Sequence, residues 1–442
     1  MSADSHGELG ARLLQQAREL QTSAMERRRD RSAQALPVYR QALEHFRAAA
    51  TLAPASSQTH RFCGMTLTEL GELEAARASF AQAYRLAPNN ADLAAEYASS
   101  LQSTGNTAGA VTIYEDGLRQ HPAHAGLHAG FALTLLGAGD FARGWDEYEW
   151  RLKVPQAGIE RPFPFARWQG EPLGGRTLLV YTEQGVGDEI MFASCFDELI
   201  AGAGHCVLEA STRLVPLFER AYPKATVFAR DLARMPDWSR LPRIDSCVAA
   251  GSVPRFLRRT REAFPRRDPY LRPEQTRLEH WKTRLAATPR PRIGLAWTGG
   301  LPGTLRSARS LSLRDLAPLV GTFSATYLAL EFLDCGAEVE AFNRDRGARI
   351  EWWPQAVSSL YETAAVLAAL DLVITVTTAT AHLAGALGRP TWVLVPGLSS
   401  WRYLWEGDEM PWYPSVRVLR GGGSRQAVVG LALQRLKQCY PD

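Results

Sequence analysis

The chain is poor in the features that mark secreted, metal-binding or membrane proteins. Its six cysteines, at 63, 195, 206, 247, 335 and 439, form no CxxC pair and keep no regular spacing. That excludes a disulfide framework and a cysteine-built zinc site, and it fits a reducing compartment. The opening MSADSHGELG has neither the basic nor the apolar region of a signal peptide. No apolar run reaches the ~20 residues that cross a bilayer. The longest candidate, near 364–397, is broken by Asp371, His382, Arg389 and Pro390. A cytoplasmic protein without a membrane span is expected. An excess of one charge is lacking too: a net +4 over 442 residues leaves no electrostatic footprint for nucleic acid. At 46% hydrophobic and 22% charged, the composition is that of an ordinary folded protein, long enough for two or three domains.

What the chain does have is a repeat. Pro54, Pro88 and Pro122 stand 34 residues apart, as do Gly71, Gly105 and Gly139. Ala42, Ala76 and Ala110 keep the same step, and so do Phe46, Phe80, Tyr114 and Tyr148. Small residues suit places where two helices cross closely, aromatics fill the gap, and proline follows the second helix of a pair. The pattern resembles the tetratricopeptide repeat, with LAP at 52–54 and 86–88 as its closing signature. About three repeats are expected over 37–152, with a further helix before them. Each pair buries its face only against its neighbours, so the array is expected to form a solenoid whose concave surface binds a protein or peptide, or which braces the next domain. The basic run Glu26–Arg31 reads as a solvated helix face or a frayed end.

Beyond the repeats the text changes. Residues 154–176 are rich in Pro and Gly and carry Phe163, Phe165 and Trp168 as aromatic anchors, a connection docked on a neighbour. Strands then alternate with helices. The first half, 177–288, is expected to hold strands at 177–183, 206–210, 225–229 and near 244–248, with helices at 188–202 and 212–221. The second half, 289–442, is expected to hold strands at 292–297, 325–331, 349–352, 371–376 and 391–395, with helices at 313–320 and 361–370. Such alternation means parallel sheets with ligands at the carboxyl ends of the strands. The expected fold class is α + α/β: a repeat solenoid over 1–153, then two Rossmann-like halves with a cleft between them. The basic segment Arg255–Arg267 reads as solvated surface.

Three stretches carry chemistry. Tyr181–Phe192, YTEQGVGDEIMF, is a strand end, a Gly-x-Gly turn (Gly185, Gly187) and a helix start beside Asp188 and Glu189. Unpaired N–H groups and the positive end of a helix dipole favour phosphate there. An acid at that point can also take a proton from a substrate hydroxyl. The same pattern equally describes a capped helix of an ordinary α/β domain. In the second half, Arg306 and Arg309 lie just past a strand end, where guanidinium forks can hold a diphosphate. Thr378, Ala379 and Thr380 open a second helix with hydroxyls and free N–H groups, and His382 follows one turn in, as a partner for phosphate or sugar or as a packing residue. The aromatics of 401–405 and 411–414 read mostly as core and interface.

Taken together, EQGVGDEIMFA (183–193), AHLAGALGRP (381–390) and WYPSVRVLR (412–420) resemble the GT-B glycosyltransferases. Tetratricopeptide arrays precede such a domain in O-GlcNAc transferase and in bacterial relatives whose catalytic part is similar to the heptosyltransferases. The resemblance covers about 37–420. It implies an inverting transfer from a nucleotide-sugar co-substrate without metal or other cofactor, and the lack of an Asp-x-Asp motif agrees. It implies the first half as the acceptor side and the second as the nucleotide-sugar side. Asp188, beside Glu189, would be the base. Arg309, the 378–380 helix start and His382 would stabilise the departing diphosphate. The implied acceptor is Ser or Thr of a protein recruited by the array, by analogy a flagellin-like surface protein. Thr377 stands where relatives commonly carry Asp, and ALEFLDCG where they carry a Leu-Gln-Lys-like element. Two other readings stay open: a non-catalytic scaffold with a degenerate sugar-nucleotide site, and an enzyme of lipopolysaccharide or other glycan assembly. A homodimer is also left open.

Overall fold

The computed structural model describes residues 1–26, 32–154, 161–231, 233–264, 266, 269–300, 306–347, 349–397 and 399–440. The chain divides into two compact units. One comprises Met1–Gln156, Thr298–Ser310 and Pro396–Trp405; the other comprises Ala157–Trp297, Leu311–Val395 and Glu406–Asp442.

The first unit is the solenoid. Its helices are Ala3–Glu26, Ser32–Leu52, Ser57–Leu70, Leu73–Leu86, Ala91–Ser103, Thr107–Gln120, Ala125–Ala138 and Phe141–Tyr148. They pack as successive pairs. The 34-residue series explain why. Ala42, Ala76 and Ala110 are buried, as are Phe46, Phe80, Tyr114 and Tyr148. Phe80 lies on Gly64, where a Cβ would come within 2.8 Å of its ring, so the helix pair closes only over a residue without one. Gly71, Gly105 and Gly139 have φ of 80°, 85° and 86°, the left-handed region that ends a helix. The helix expected before the repeats is Ala3–Glu26, and it pairs with Ser32–Leu52. There are therefore four pairs where about three repeats were expected. That leading helix runs to 24 residues and falls out of the 34-residue step. Residues 27–31 of the basic run, and the 301–305 part of the loop after Trp297, lie outside the described residues, as does Arg267 of the second basic segment.

The Pro396–Trp405 segment belongs to this unit through its aromatics. Trp405 donates from its backbone N–H to the Gly137 carbonyl (2.8 Å) and from Nε1 to the Thr134 carbonyl (3.0 Å). A Cβ at Gly137 would sit 2.0 Å from the indole. Trp401 meets Trp145 edge-on at 5.7 Å. These tryptophans are packing residues, as expected.

The second unit holds two parallel sheets. The strands are β1 Ala166–Arg167, β2 Thr177–Tyr181, β3 His205–Ala210, β4 Thr226–Ala229, β5 Ser246–Ala249, β6 Arg292–Ala296, β7 Thr326–Ala329, β8 Ile350–Glu351, β9 Leu372–Thr375, β10 Thr391–Val395 and β11 Val416–Arg420. The first sheet runs β1-β5-β2-β3-β4 and the second β11-β10-β9-β6-β7-β8. The second is the Rossmann order 3-2-1-4-5-6, and the first is its 3-2-1-4 part with β1 added at the edge. The expected class, a helical-repeat solenoid followed by two Rossmann-like halves of GT-B type, is the fold. The central strands are buried along their length, as parallel strands covered on both faces must be.

Differences lie at the margins. The helix expected over 188–202 is two, Val186–Ala193 and Phe196–Gly202. The break is stabilised from outside: Tyr222 Oη donates to the Ala193 carbonyl at 2.7 Å and Arg258 to the Ser194 carbonyl at 3.5 Å. The two-residue β1 hides in the Pro-rich connection, and β11 hides behind Pro414. Helices Gln275–Ala286, Gly336–Arg346 and Arg425–Cys439 complete the unit. Five of the six cysteines are buried, and burial pushes the Cys206 thiol up to about 12, far from a reactive thiolate. Among the described residues no helix is long and apolar enough to cross a membrane.

Candidate functional site

Strand order reverses between β2 and β5 in one half and between β6 and β9 in the other, and ligands of such sheets bind beyond the carboxyl ends at those points. The turn after β2 is held there by buried carboxylates. Glu209, wholly buried at the end of β3, accepts from the Thr182 N–H at 3.1 Å and from Arg161 Nη1, which lies 2.7 and 2.5 Å from its two carboxylate oxygens. Glu183 accepts from the Gly251 N–H at 2.8 Å, tying the turn to the end of β5. Between these anchors Gln184 adopts φ 59°. A non-glycine residue in the left-handed region costs about 1–3 kcal/mol and persists where its surroundings over-determine it, most often at functional sites.

Gly185 then caps Val186–Ala193 without a side-chain bond; its carbonyl accepts from the N–H of Asp188 (2.9 Å) and of Glu189 (3.0 Å). The two acids part company here. Asp188 is half-buried, on the same turn as exposed Gly185. Glu189 is 1% exposed and points into the half, where Oε2 accepts from the Ser211 N–H at 2.8 Å and Arg230 lies 3.4 Å from Oε1. Burial pushes its carboxyl above the ordinary range, against the pull of the Ser211 amide and Arg230. Expected beside Asp188 as a catalytic acid, Glu189 instead fixes the helix against the end of β3.

The helix start after β9 is the counterpart. Thr378 Oγ1 accepts from the Thr380 N–H at 3.1 Å and lies 3.2 Å from Thr375 Oγ1, so its hydroxyl serves as the cap. Thr377 is buried. The Ala379–Ala386 helix faces the Val186–Ala193 helix at Gly187, where a Cβ would stand 3.2 Å from His382 Cδ2 and 3.5 Å from the Ala379 Cα. Gly187 is therefore the spacing element between the two helix starts, while a Cβ on Gly185 would meet Asp188 Oδ2 at an ordinary 3.9 Å. His382 is buried, with Nδ1 3.3 Å from Tyr413 Oη. The structure thus brings Gly187, Ala379 and His382 into contact, with Asp188 one residue further on.

Arg306 and Arg309 belong to the other compact unit. They form the short Arg306–Arg309 helix and fall in the compact unit of the solenoid. The excursion that carries them is rooted at β6: the Leu311 N–H donates to the Trp297 carbonyl at 2.9 Å, and the Gly299 N–H to Ser310 Oγ at 2.9 Å. The Trp297 N–H in turn donates to buried Glu331 at 2.6 Å, just past β7. Glu331 and Glu209 do the same work in their two halves, each holding the residue that follows the first strand. A glutamate inside the apolar run CVLEA (206–210) was the signal for Glu209; nothing in the sequence pattern marks Arg161 as its partner. Among the described residues no group of three or more His, Cys, Asp or Glu could hold a metal ion.

The solenoid contains a cavity of about 350 Å³, lined by Met65, Glu69, Phe80, Glu96, Ser99 and Tyr114 among others. Glu96 is forked by Arg61 at 2.6–2.9 Å.

No protein-family profile matches the chain. It is similar to Protein FlbA of Caulobacter vibrioides, 37% identical over 292 residues, which are 62% of this chain and 48% of that protein. The chain thus spans about half the length of the curated relative it matches. Among solved structures it is similar to an O-GlcNAc transferase mutant of Thermobaculum terrenum, with 14% identity, 96% of this chain and 90% of that one covered, and a TM-score of 0.33. It is also similar to a family 9 glycosyl transferase of Veillonella parvula, with 10% identity, 60% and 97% covered, and a TM-score of 0.45. These likenesses are distant, and the architecture stands on the strand orders above rather than on them.

Proposed function

We propose that the protein is a metal-independent, inverting glycosyltransferase that acts in the cytoplasm and moves a sugar from a nucleotide donor to Ser or Thr of a protein held by the solenoid. The observation that carries the reading is the meeting of two helix starts at Gly187 and Ala379, each at the strand reversal of its own sheet. A diphosphate leaving group carries its charge where such N-termini present free N–H groups and positive dipole ends. Asp188 takes the proton of the acceptor hydroxyl; the hydroxyl oxygen forms the new bond to C1 as the C1–diphosphate bond breaks and the diphosphate leaves with the electron pair. Attack from the face opposite the leaving group inverts C1. With Glu189 turned inward, the base role falls to Asp188 alone. Arg306 and Arg309, on their excursion beyond β6, are proposed as further partners of the diphosphate.

A thermal-shift panel of UDP-, GDP-, ADP-, dTDP- and CMP-sugars with chelator present tests this. One nucleotide is expected to stabilise the protein, by about 2.7 kcal/mol at a hundredfold excess over its dissociation constant. Silence across the panel would favour the scaffold reading, with Thr377 as its sequence basis.

A further inference from the structure

The cavity of about 350 Å³ in the solenoid has a plan that follows the helix pairs. Its polar lining comes from the first helix of successive pairs. Arg18 is on Ala3–Glu26, Thr68 and Glu69 on Ser57–Leu70, and Glu96, Ser100 and Ser103 on Ala91–Ser103. The second helices supply an apolar floor, with Leu73 and Phe80 from one pair and Tyr114 from the next. A cavity lined by the same helix of each pair lies along one face of the array. Ser99, also on its wall, is exposed, so the cavity opens to solvent. The volume is at the small end of ligand sites, room for one long side chain rather than a folded surface.

Hydrogen bonding decides which side chain suits it. Thr68 Oγ1 donates to the Gly64 carbonyl at 2.9 Å, Ser100 Oγ to the Tyr97 carbonyl at 2.7 Å, and Ser103 Oγ to the Ser99 carbonyl at 2.9 Å. A carbonyl can only accept, so each hydroxyl spends its one proton inside its own helix and keeps lone pairs for the cavity. Glu96 is already matched: Arg61 Nε lies 2.9 Å from both of its oxygens, and Nη2 lies 2.6 Å from one. Glu69 is not. Its carboxylate makes no hydrogen bond or ion pair among the described residues. Burial raises it above the ordinary carboxylate range, and the more distant charge of Arg18 offsets that only in part. We propose that the cavity receives a lysine or arginine side chain of the protein held by the solenoid. The apolar stem lies on Leu73 and Phe80, and the charged head meets Glu69 and the hydroxyl lone pairs. An acidic residue would bring like charge to Glu69, and an apolar one would leave that carboxylate unmatched. The inference rests on the reading of the solenoid as the surface that holds the acceptor, and it names what that acceptor carries near its Ser or Thr.

The test needs no sugar donor. The full chain, fluorescently labelled, is bound to an array of short capped peptides with a central serine. Each flanking position is fixed in turn as every amino acid, and as norleucine, over a mixture at the others. Norleucine keeps the stem of lysine and lacks its charge. At one flanking position lysine or arginine is expected to bind about tenfold better than norleucine, the low end for a charge-assisted hydrogen bond. Glu69→Gln keeps the shape of the side chain and should abolish that preference. The comparison of lysine with norleucine changes only the peptide, so it stands whether or not the variant folds. No bound peptide, equal binding of lysine and norleucine at every position, or a preference that survives in folded Glu69→Gln would overturn the proposal. The nucleotide panel is read separately. A lysine preference beside a silent panel would sink the transfer reading and leave the pocket standing, whereas a stabilising nucleotide without the preference would sink the pocket alone.

Discussion

Asp188→Asn is expected to lower turnover by about 10²–10⁴-fold, the usual contribution of a positioned general base. That is about 3–5 kcal/mol of transition-state stabilisation. Asparagine has the same shape and keeps the N–H that donates to the Gly185 carbonyl, so the helix start survives. Donor binding should survive with it, because the proposed reading gives the diphosphate to the helix N-termini and not to the acid. The neighbouring Glu189→Gln is the matched control. Its amide oxygen can still accept from the Ser211 N–H, and burial already disfavours the charge that is removed. Turnover near that of the parent is expected for Glu189→Gln. Steady-state rates and nucleotide affinities of both variants decide the matter. If Glu189→Gln were the inactive one and Asp188→Asn active, the two acids would have to exchange the roles given to them here.

The second large effect is on stability. Glu209→Ala should cost about 3–5 kcal/mol, the range for removing one partner of a buried ion pair. Glu209 is 0% exposed, and its loss strands the Arg161 guanidinium and the Thr182 N–H together. Glu209→Gln should cost less, since it can still accept from Thr182. Calorimetry of the transition that belongs to the Rossmann-like unit is the readout; a change below about 1 kcal/mol, the level of an exposed pair, would show that the turn is held by something else. The consequence is read close to the site, because Thr182 stands two residues ahead of Gln184, which adopts φ 59° before Gly185.

Much of this architecture could be read from residue types alone. The alanine, glycine, aromatic and proline series gave the solenoid because each marks a physical event, close crossing, helix stop or gap filling, that recurs at one period. The strand–turn–helix at 181–192 and its counterpart at 375–382 were legible because glycines and hydroxyls punctuate apolar runs. What stayed hidden was pairwise. Asp188 and Glu189 are adjacent and chemically alike; only the position of Ser211, 22 residues away, sends Glu189 inward. Gly187 looked like a phosphate-turn glycine, and its closeness to His382 joins parts of the chain nearly two hundred residues apart. Tyr270 and Tyr413 carry no motif, since their 3.4 Å contact exists only where the two halves meet. Arg306 and Arg309 were read from their place after a strand; that residues 298–310 group with the solenoid unit is something residue types alone do not mark.

The central claim is inverting transfer at the Asp188 turn without metal. It is tested most directly by ¹H NMR of donor consumption in chelator, with water as the acceptor so that no protein partner need be known. The account predicts release of nucleoside diphosphate from the stabilising donor, a free sugar that first appears with the anomeric configuration opposite to the donor's, and loss of both signals in Asp188→Asn. Release with retained configuration, or release that Asp188→Asn leaves unchanged, would contradict it.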